Sequence, residues 1–354
     1  MAELHIGDLL NEIFAGRTLD RATAREVLGR LMDGELSQVQ AAALLAALRT
    51  RGETVEEITG FAEAMRERAI RVPVRGDGPL VDTCGTGGTG LDTINISTTA
   101  MFVAAAGGAR LAKHGNVGVT RRSGSADVLE ALGANLELGP EELAAAVDEV
   151  GLAFVFARRY HPAMRFVAPI RADLQARTIF NNLGPLTNPA GADRQLMGVY
   201  APELTEPLAA VLRGLGLTRA LVVHGEGLDD FTVSGPTKVS ELKPDGAIVT
   251  YVVAPEDVGL ARHPLDSLGG GDAVHNAAQL RGVLASEADP AKRDVVLFNA
   301  GAALYLAERA PDLRGGVALA RAALESGAAL AKLDDYLDFS RAAAGRTSAR
   351  AATA

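Results

Sequence analysis

Over residues 4–69 apolar side chains recur at a helical spacing in four runs, about 4–15, 20–32, 37–49 and 55–68. Asp20, Ser37 and Thr54 stand where N-caps belong, and Gly34 and Gly52 where helices end. No strand pattern precedes Pro73, so this first lobe should be all-helical. Its apolar faces are too wide for four short helices alone. They should pack on the rest of the chain, on a second copy, or on both.

From Val81 the pattern changes to short apolar runs alternating with helical ones. Leu80–Cys84, Arg110–Lys113, Phe154–Ala157, Met197–Val199, Ala220–His224 and Ile248–Val253 read as strands. Helices are expected between them, near 97–107, 126–133, 140–150, 161–173 and 203–215. That alternation predicts an α/β lobe with a largely parallel sheet. The stretch 228–275 is richer in Gly, Pro and charge, which fits antiparallel strands or a surface excursion. Helices near 275–287, 291–309 and 315–342 close the domain. The expected division is a helical domain over 1–72, which C-terminal helices could join, an α/β domain over 73–343, and a frayed tail over 344–354 without apolar period.

Composition removes several classes of function. The 354 residues carry a net charge of −9, 4% aromatic residues and no Trp, so nucleic acid finds neither a basic face nor stacking platforms. Cys84 is the only cysteine, which excludes an intrachain disulfide and points to a reducing cytoplasm. The N-terminus lacks a signal-peptide pattern, and the most apolar run, near Thr98–Leu111, is too short and glycine-broken to span a membrane.

Although the chain is acidic, the window between Thr93 and Ala126 carries no carboxylate, and it holds Arg110, Lys113, Arg121 and Arg122. Just before it, Gly85-Thr-Gly-Gly-Thr-Gly90 fits G-x-G-x-x-G after a strand and before a helix. A dinucleotide site needs an acid about 20 residues on, and that region offers only Arg110 and Lys113. A phosphate ester suits the loop better, because a glycine turn, hydroxyl-rich helix starts at Ser97 and Ser123–Ser125, and positive charge all favour an anion. Ser97 also fits a plain N-cap. Lys113-His114-Gly115-Asn116 forms a compact polar loop at a strand end, where a site is expected. Arg165, Arg171 and Arg177 share a helical spacing after His161-Pro-Ala-Met164. They fit either a solvated basic face or bidentate recognition of a carboxylate. Asn181–Pro189 reads as a rigid, proline-braced loop. Asp229-Asp230 is an ordinary acidic loop unless a phosphate lies nearby, in which case the pair becomes a Mg²⁺ ligand candidate. Cys84 has no local base partner and reads as a small residue at a strand end.

Taken together, Gly85–Gly88, Asn95–Thr98, Lys113–Asn116, Ser123–Gly133, His161–Met164 and Gly184–Pro189 are similar in order and spacing to the anthranilate phosphoribosyltransferases, over essentially residues 4–342. The resemblance implies a helical N-terminal domain, an α/β domain with the nucleoside phosphorylase-like phosphoribosyltransferase fold, and a homodimer formed through the helical domain. It implies transfer of phosphoribose from 5-phosphoribosyl-1-pyrophosphate (PRPP) to the amine of anthranilate, with Mg²⁺, in tryptophan synthesis. By the same resemblance Gly85, Gly88, Thr89, Thr93, Asn95, Ile96, Ser97, Thr98, Lys113, Arg121 and Ser125 would hold PRPP. Gly85, Asn116, Arg171, His114 and His161 would face anthranilate, and Ser97, Asp229 and Asp230 would ligate the metal. Lys113 and Arg171 would carry the catalytic weight. Three positions depart from the family pattern: Thr89 where Asp is usual, Val117 where Arg is usual, and Asp230 where Glu is usual. The alternatives are a pyrimidine nucleoside phosphorylase-like enzyme and a noncatalytic, nucleic-acid-binding relative.

Overall fold

The computed structural model describes residues 5–118 and 122–352. Four helices open the chain: α1 (Ile6–Phe14), α2 (Arg21–Met32), α3 (Gln38–Arg51) and α4 (Val55–Glu67). Their starts follow the N-cap chemistry. The Asp20 carboxylate accepts from the Thr23 N–H, while Ser37 with Gln40 and Thr54 with Glu57 form capping boxes.

The second lobe is built on a seven-stranded sheet of β1 (Leu80–Asp82), β2 (Arg110–Gly115), β3 (Leu152–Phe156), β4 (Arg194–Gly198), β5 (Arg219–Gly225), β6 (Thr237–Leu242) and β7 (Ile248–Val253). The order is β3-β2-β1-β4-β5-β6-β7. Strands β3 to β5 in that order pair in parallel, and β6 and β7 add antiparallel. The expected mostly parallel α/β class holds.

Strand β6 lies in the 228–275 stretch where antiparallel strands were one expectation, but its range was not legible, because polar residues of Thr-Lys-Val-Ser-Glu-Leu are buried on both faces. Tertiary partners make that burial tolerable: the Tyr251 and Tyr305 hydroxyls donate to Glu241 at 2.8 and 2.7 Å, and Lys243 Nζ lies 2.7 Å from it.

The remaining helices are α5 (Ile96–Ala106), α6 (Ser125–Ala131), α7 (Pro140–Glu149), α8 (Ala157–Tyr160), α9 (Ala168–Leu174), α10 (Phe180–Leu186), α11 (Thr205–Gly214), α12 (Ala273–Leu284), α13 (Pro290–Leu306), α14 (Leu313–Glu325) and α15 (Ala328–Ala352). Three differ from expectation. The single helix expected at 161–173 is instead a 3₁₀ turn over Pro162–Phe166 followed by α9, since Pro162 and Pro169 cannot sit inside a continuous helix. The proline-braced loop contains α10, whose Phe180, Leu183 and Leu186 are buried at helical spacing. Helix α15 runs on to Ala352. The expected helix at 315–342 is also divided, at Gly327, whose φ of 78° is left-handed.

The wide apolar faces of the first lobe find their partner within the chain. Residues of α1–α4 share one core with Val167 and Ile170 of the α9 region, with α10, α11, and one face of β4–β5. The other sheet face packs on α5 and α12–α15. No described helix is long and apolar enough to cross a membrane.

Candidate active site

From β1 the chain moves outward through β2 to β3, then returns to β4 on the other side of β1. The carboxyl ends of β1 and β4 therefore flank a topological switch point, the usual crevice for ligands in open α/β sheets. The Gly85–Gly90 loop leaves β1 there, Gly198 ends β4, and Asp229-Asp230 follows β5. The loop is anchored on both neighbours: Thr86 N–H donates to the Gly198 carbonyl at 2.8 Å, and Gly87 N–H to Asp229 Oδ2 at 2.8 Å. The Arg177 guanidinium stacks on Tyr200 at 4.3 Å and donates to the Gly88 carbonyl, pinning the loop from the α9–α10 side.

Lys113 on β2 is 3% exposed. Its ammonium donates to the Thr83 carbonyl at 2.7 Å and to Ser97 Oγ at 3.1 Å. This ties the end of β1 to the start of α5. Ser97 is thus not the N-cap; Asn95 takes that position without a side-chain cap. Ile96 and Thr98 are buried. Thr93 is buried beneath the segment 268–276. Beneath Lys113 lies Asp82, fully buried, its Oδ1 accepting from the His114 N–H at 3.1 Å. Burial raises its carboxyl to about 6, against the opposing pull of Lys113.

After β2, Asn116 and Ser125 meet through a hydrogen bond from Ser125 Oγ to the Asn116 carbonyl, 3.3 Å. Arg122 is held by Asp92, which accepts from its N–H at 3.1 Å and faces its Nε at 3.3 Å. Val117 packs against the core, and Arg121 lies outside the described residues.

On the opposite side, the His114 and His161 rings are 5.1 Å apart. Burial lowers His114 to about 4, and burial reinforced by His114 lowers His161 to about 3, so both are neutral above pH 5. His114 Nδ1 pairs with the Gly184 carbonyl at 2.9 Å. His114 Nε2 and Asn182 Oδ1 are buried without a partner among the described residues. Arg171 of α9 lies 5.8 Å from the Phe180 ring, has no ion-pair partner among the described residues, and has its basicity lowered by burial.

Lys113, Ser97, the glycine loop and the Asp229-Asp230 corner thus converge on one crevice. The His114–His161 pair lies buried on the other side of β2, against Gly184 of α10. Sequence reasoning missed Asp82, Gly198 and Asn276. Arg177 was visible only as part of a basic face. The arrangement sets one buried ammonium and two carboxylates around a glycine loop, chemistry that suits a phosphorylated ligand.

The patterns of known families agree. The glycosyl transferase family, helical bundle domain, matches residues 7–69, and the glycosyl transferase family, a/b domain, matches residues 77–330. The anthranilate phosphoribosyltransferase of Rubrobacter xylanophilus is 54% identical, across 96% of this chain and 98% of its own. The crystal structure of the Thermus thermophilus enzyme superimposes with a TM-score of 0.89 at 49% identity, covering 94% of this chain and 99% of that one. The Saccharomyces cerevisiae enzyme in complex with PRPP and Mg superimposes with a TM-score of 0.85 at 25% identity, covering 95% and 98%. The chain belongs to the anthranilate phosphoribosyltransferase family.

Proposed function

We propose that the chain joins the anthranilate nitrogen to the anomeric carbon of PRPP, releasing pyrophosphate, with the phosphorylated substrate in the β1/β4 crevice. The observation that carries the reading is the convergence of Lys113, Ser97 and the Gly85–Gly90 loop on that crevice. The C–N bond forms as the C–O bond to pyrophosphate breaks, with inversion at the anomeric carbon, and the nitrogen gives up its extra proton to the departing pyrophosphate or to water. Lys113 would face the negative charge that grows on the leaving group. Thr89, Thr93, Asn95 and Ser125 line the loops on either side of it. Arg171, whose guanidinium has no ion-pair partner among the described residues, would hold the anthranilate carboxylate, with Asn116, His114 and His161 about the ring. Neutral histidines lowered to about 3 and 4 are weak bases, so positioning of the aryl amine outweighs general-base help.

Ser97, Asp229 and Asp230 would hold Mg²⁺. The donors fit, being hard oxygens only, and the described residues contain no cluster of three or more His, Cys, Asp or Glu to satisfy a metal without substrate phosphate. When bound, the ion neutralises charge on the pyrophosphate. The yeast relative binds PRPP and Mg, which supports the same pairing here. We further propose a cytoplasmic homodimer formed through the helical domain, where Phe14 and Val39 are 61% and 79% exposed. The test of the reaction is product balance: one pyrophosphate released per anthranilate consumed supports it, and pyrophosphate release indifferent to anthranilate would overturn it.

A further inference from the structure

Asn276, in the first turn of α12, is 2% exposed and touches the two loops that flank the crevice from far along the chain. Backbone chemistry fixes which way its amide faces. The Gly271 N–H can only donate and lies 2.8 Å from Asn276 Oδ1; the Thr93 carbonyl can only accept and lies 3.3 Å from Nδ2. Nδ2 therefore also meets Asn95 Oδ1 at 2.8 Å and Ser123 Oγ at 2.9 Å. Ser123 Oγ lies 3.4 Å from the same Asn95 oxygen.

Asn95 thus accepts through its oxygen, and its own NH₂ is turned away from Asn276. The segment that delivers Asn276 is stitched to the stretch Asp92–Asn95: Ile94 N–H donates to the Leu268 carbonyl at 3.0 Å, and Gly270 N–H to the Asp92 carbonyl at 2.9 Å. A side chain at Gly270 would overlap the Thr93 carbonyl and lie 2.7 Å from the Ile94 nitrogen, so this close approach needs glycine.

We propose that Asn276 is a positioning residue that sets the polarity of the Asn95 amide, so that a donor rather than an acceptor faces the phosphorylated substrate. The inference rests on the PRPP reading above. In Asn276→Asp, the carboxylate keeps the Gly271 bond but sets an acceptor against the Thr93 carbonyl and Asn95 Oδ1. Asn95 relieves the second conflict by turning its amide over, which aims its oxygen at a phosphate. Asn276→Ala only frees Asn95 to turn.

The experiment is calorimetric PRPP affinity in the presence of Mg²⁺ for wild type, N276D, N276A, N95A and the two double variants, with the anthranilate KM and the thermal midpoint as controls. PRPP should bind about 100-fold more weakly to N276D and about 10-fold more weakly to N276A, with the anthranilate KM unchanged within about twofold. In the N95A background N276D should cost less than about threefold more, because its effect runs through Asn95. Equal weakening of both substrates, or an N276D effect undiminished in N95A, would overturn the inference. Should N276D not fold, the N276A and N95A cycle reads the same coupling. Wild type that fails to bind PRPP sinks the parent reading instead; wild type that binds while N276A and N276D bind equally well sinks only this one.

Discussion

The Asp229 corner leaves no room for a side chain at Gly198, and that makes Gly198→Ala a sharp test of what the corner does. A Cβ on Gly198 would overlap the Asp229 carbonyl oxygen and carbonyl carbon, and lie 3.1 Å from the Asp229 Cα. Relief to ordinary contact requires a shift of about 2 Å, taken by β4 or by the Asp229-Asp230 backbone. Because β4 is paired on both sides and Asp229 sits in a loop, the loop should give way. Asp229 Oδ2 would then leave the Gly87 N–H it now holds at 2.8 Å. A displacement of about 1 Å at a reacting centre costs about 100-fold in rate, or about 2.7 kcal/mol of barrier. A Mg²⁺ ion held by Asp229 would tolerate such a shift no better.

The expected result is a kcat at least about 100-fold lower and a Mg²⁺ titration moved to higher concentration, with overpacking destabilising the fold by about 1–3 kcal/mol. Gly282→Ala serves as control: it lies within α12 with nothing near its would-be Cβ, and should leave activity intact while adding up to about 1 kcal/mol of stability. Initial rates at saturating PRPP, a metal titration and a thermal melt decide it. A folded G198A enzyme with wild-type kcat and wild-type metal dependence would refute the assignment of that corner to the chemistry.

Three further outcomes follow from the same geometry. Arg171→Ala should raise the anthranilate KM at least about tenfold while moving the PRPP KM little, and equal effects would contradict a carboxylate clamp. His114 and His161 are held below their ordinary value, so the unfolded chain takes up their protons first. Their contribution to stability is complete above pH 6.5 and is lost as pH falls through about 4 and 3. His161→Gln should flatten that acid limb in denaturant titrations, and an unchanged profile would refute the buried-neutral reading. Finally, burial together with Asp82 pushes the Cys84 thiol well above its usual range, so a disulfide reagent at pH 8 should label native protein far more slowly than denatured protein; equal rates would contradict this.

Local signals were legible from the sequence. Asp20, Ser37 and Thr54 cap helices that begin where they stand, because capping is decided within four residues. The glycine loop and the Lys113 loop were legible too, since a strand end followed by small polar residues advertises a crevice. What the sequence concealed depends on distant partners. Strand β6 looks polar until Tyr251 and Tyr305 satisfy Glu241. Helix α10 looked like a loop because Pro185 outweighed the buried spacing of Phe180, Leu183 and Leu186. Asn276 meets Thr93 across 183 residues, a pairing that no local periodicity encodes. The spacing of Arg165, Arg171 and Arg177 suggested one helical face. The turn at Gln175, with φ of 47°, instead sends Arg177 to Tyr200 and Gly88.

The claim that matters most is that this crevice transfers phosphoribose to anthranilate. Anthranilate fluorescence followed in the presence of the pure protein tests it directly. The account predicts a loss that requires PRPP and Mg²⁺ together and is abolished in Lys113→Met. Fluorescence that persists with both present, while phosphate-dependent cleavage of thymidine proceeds, would contradict it.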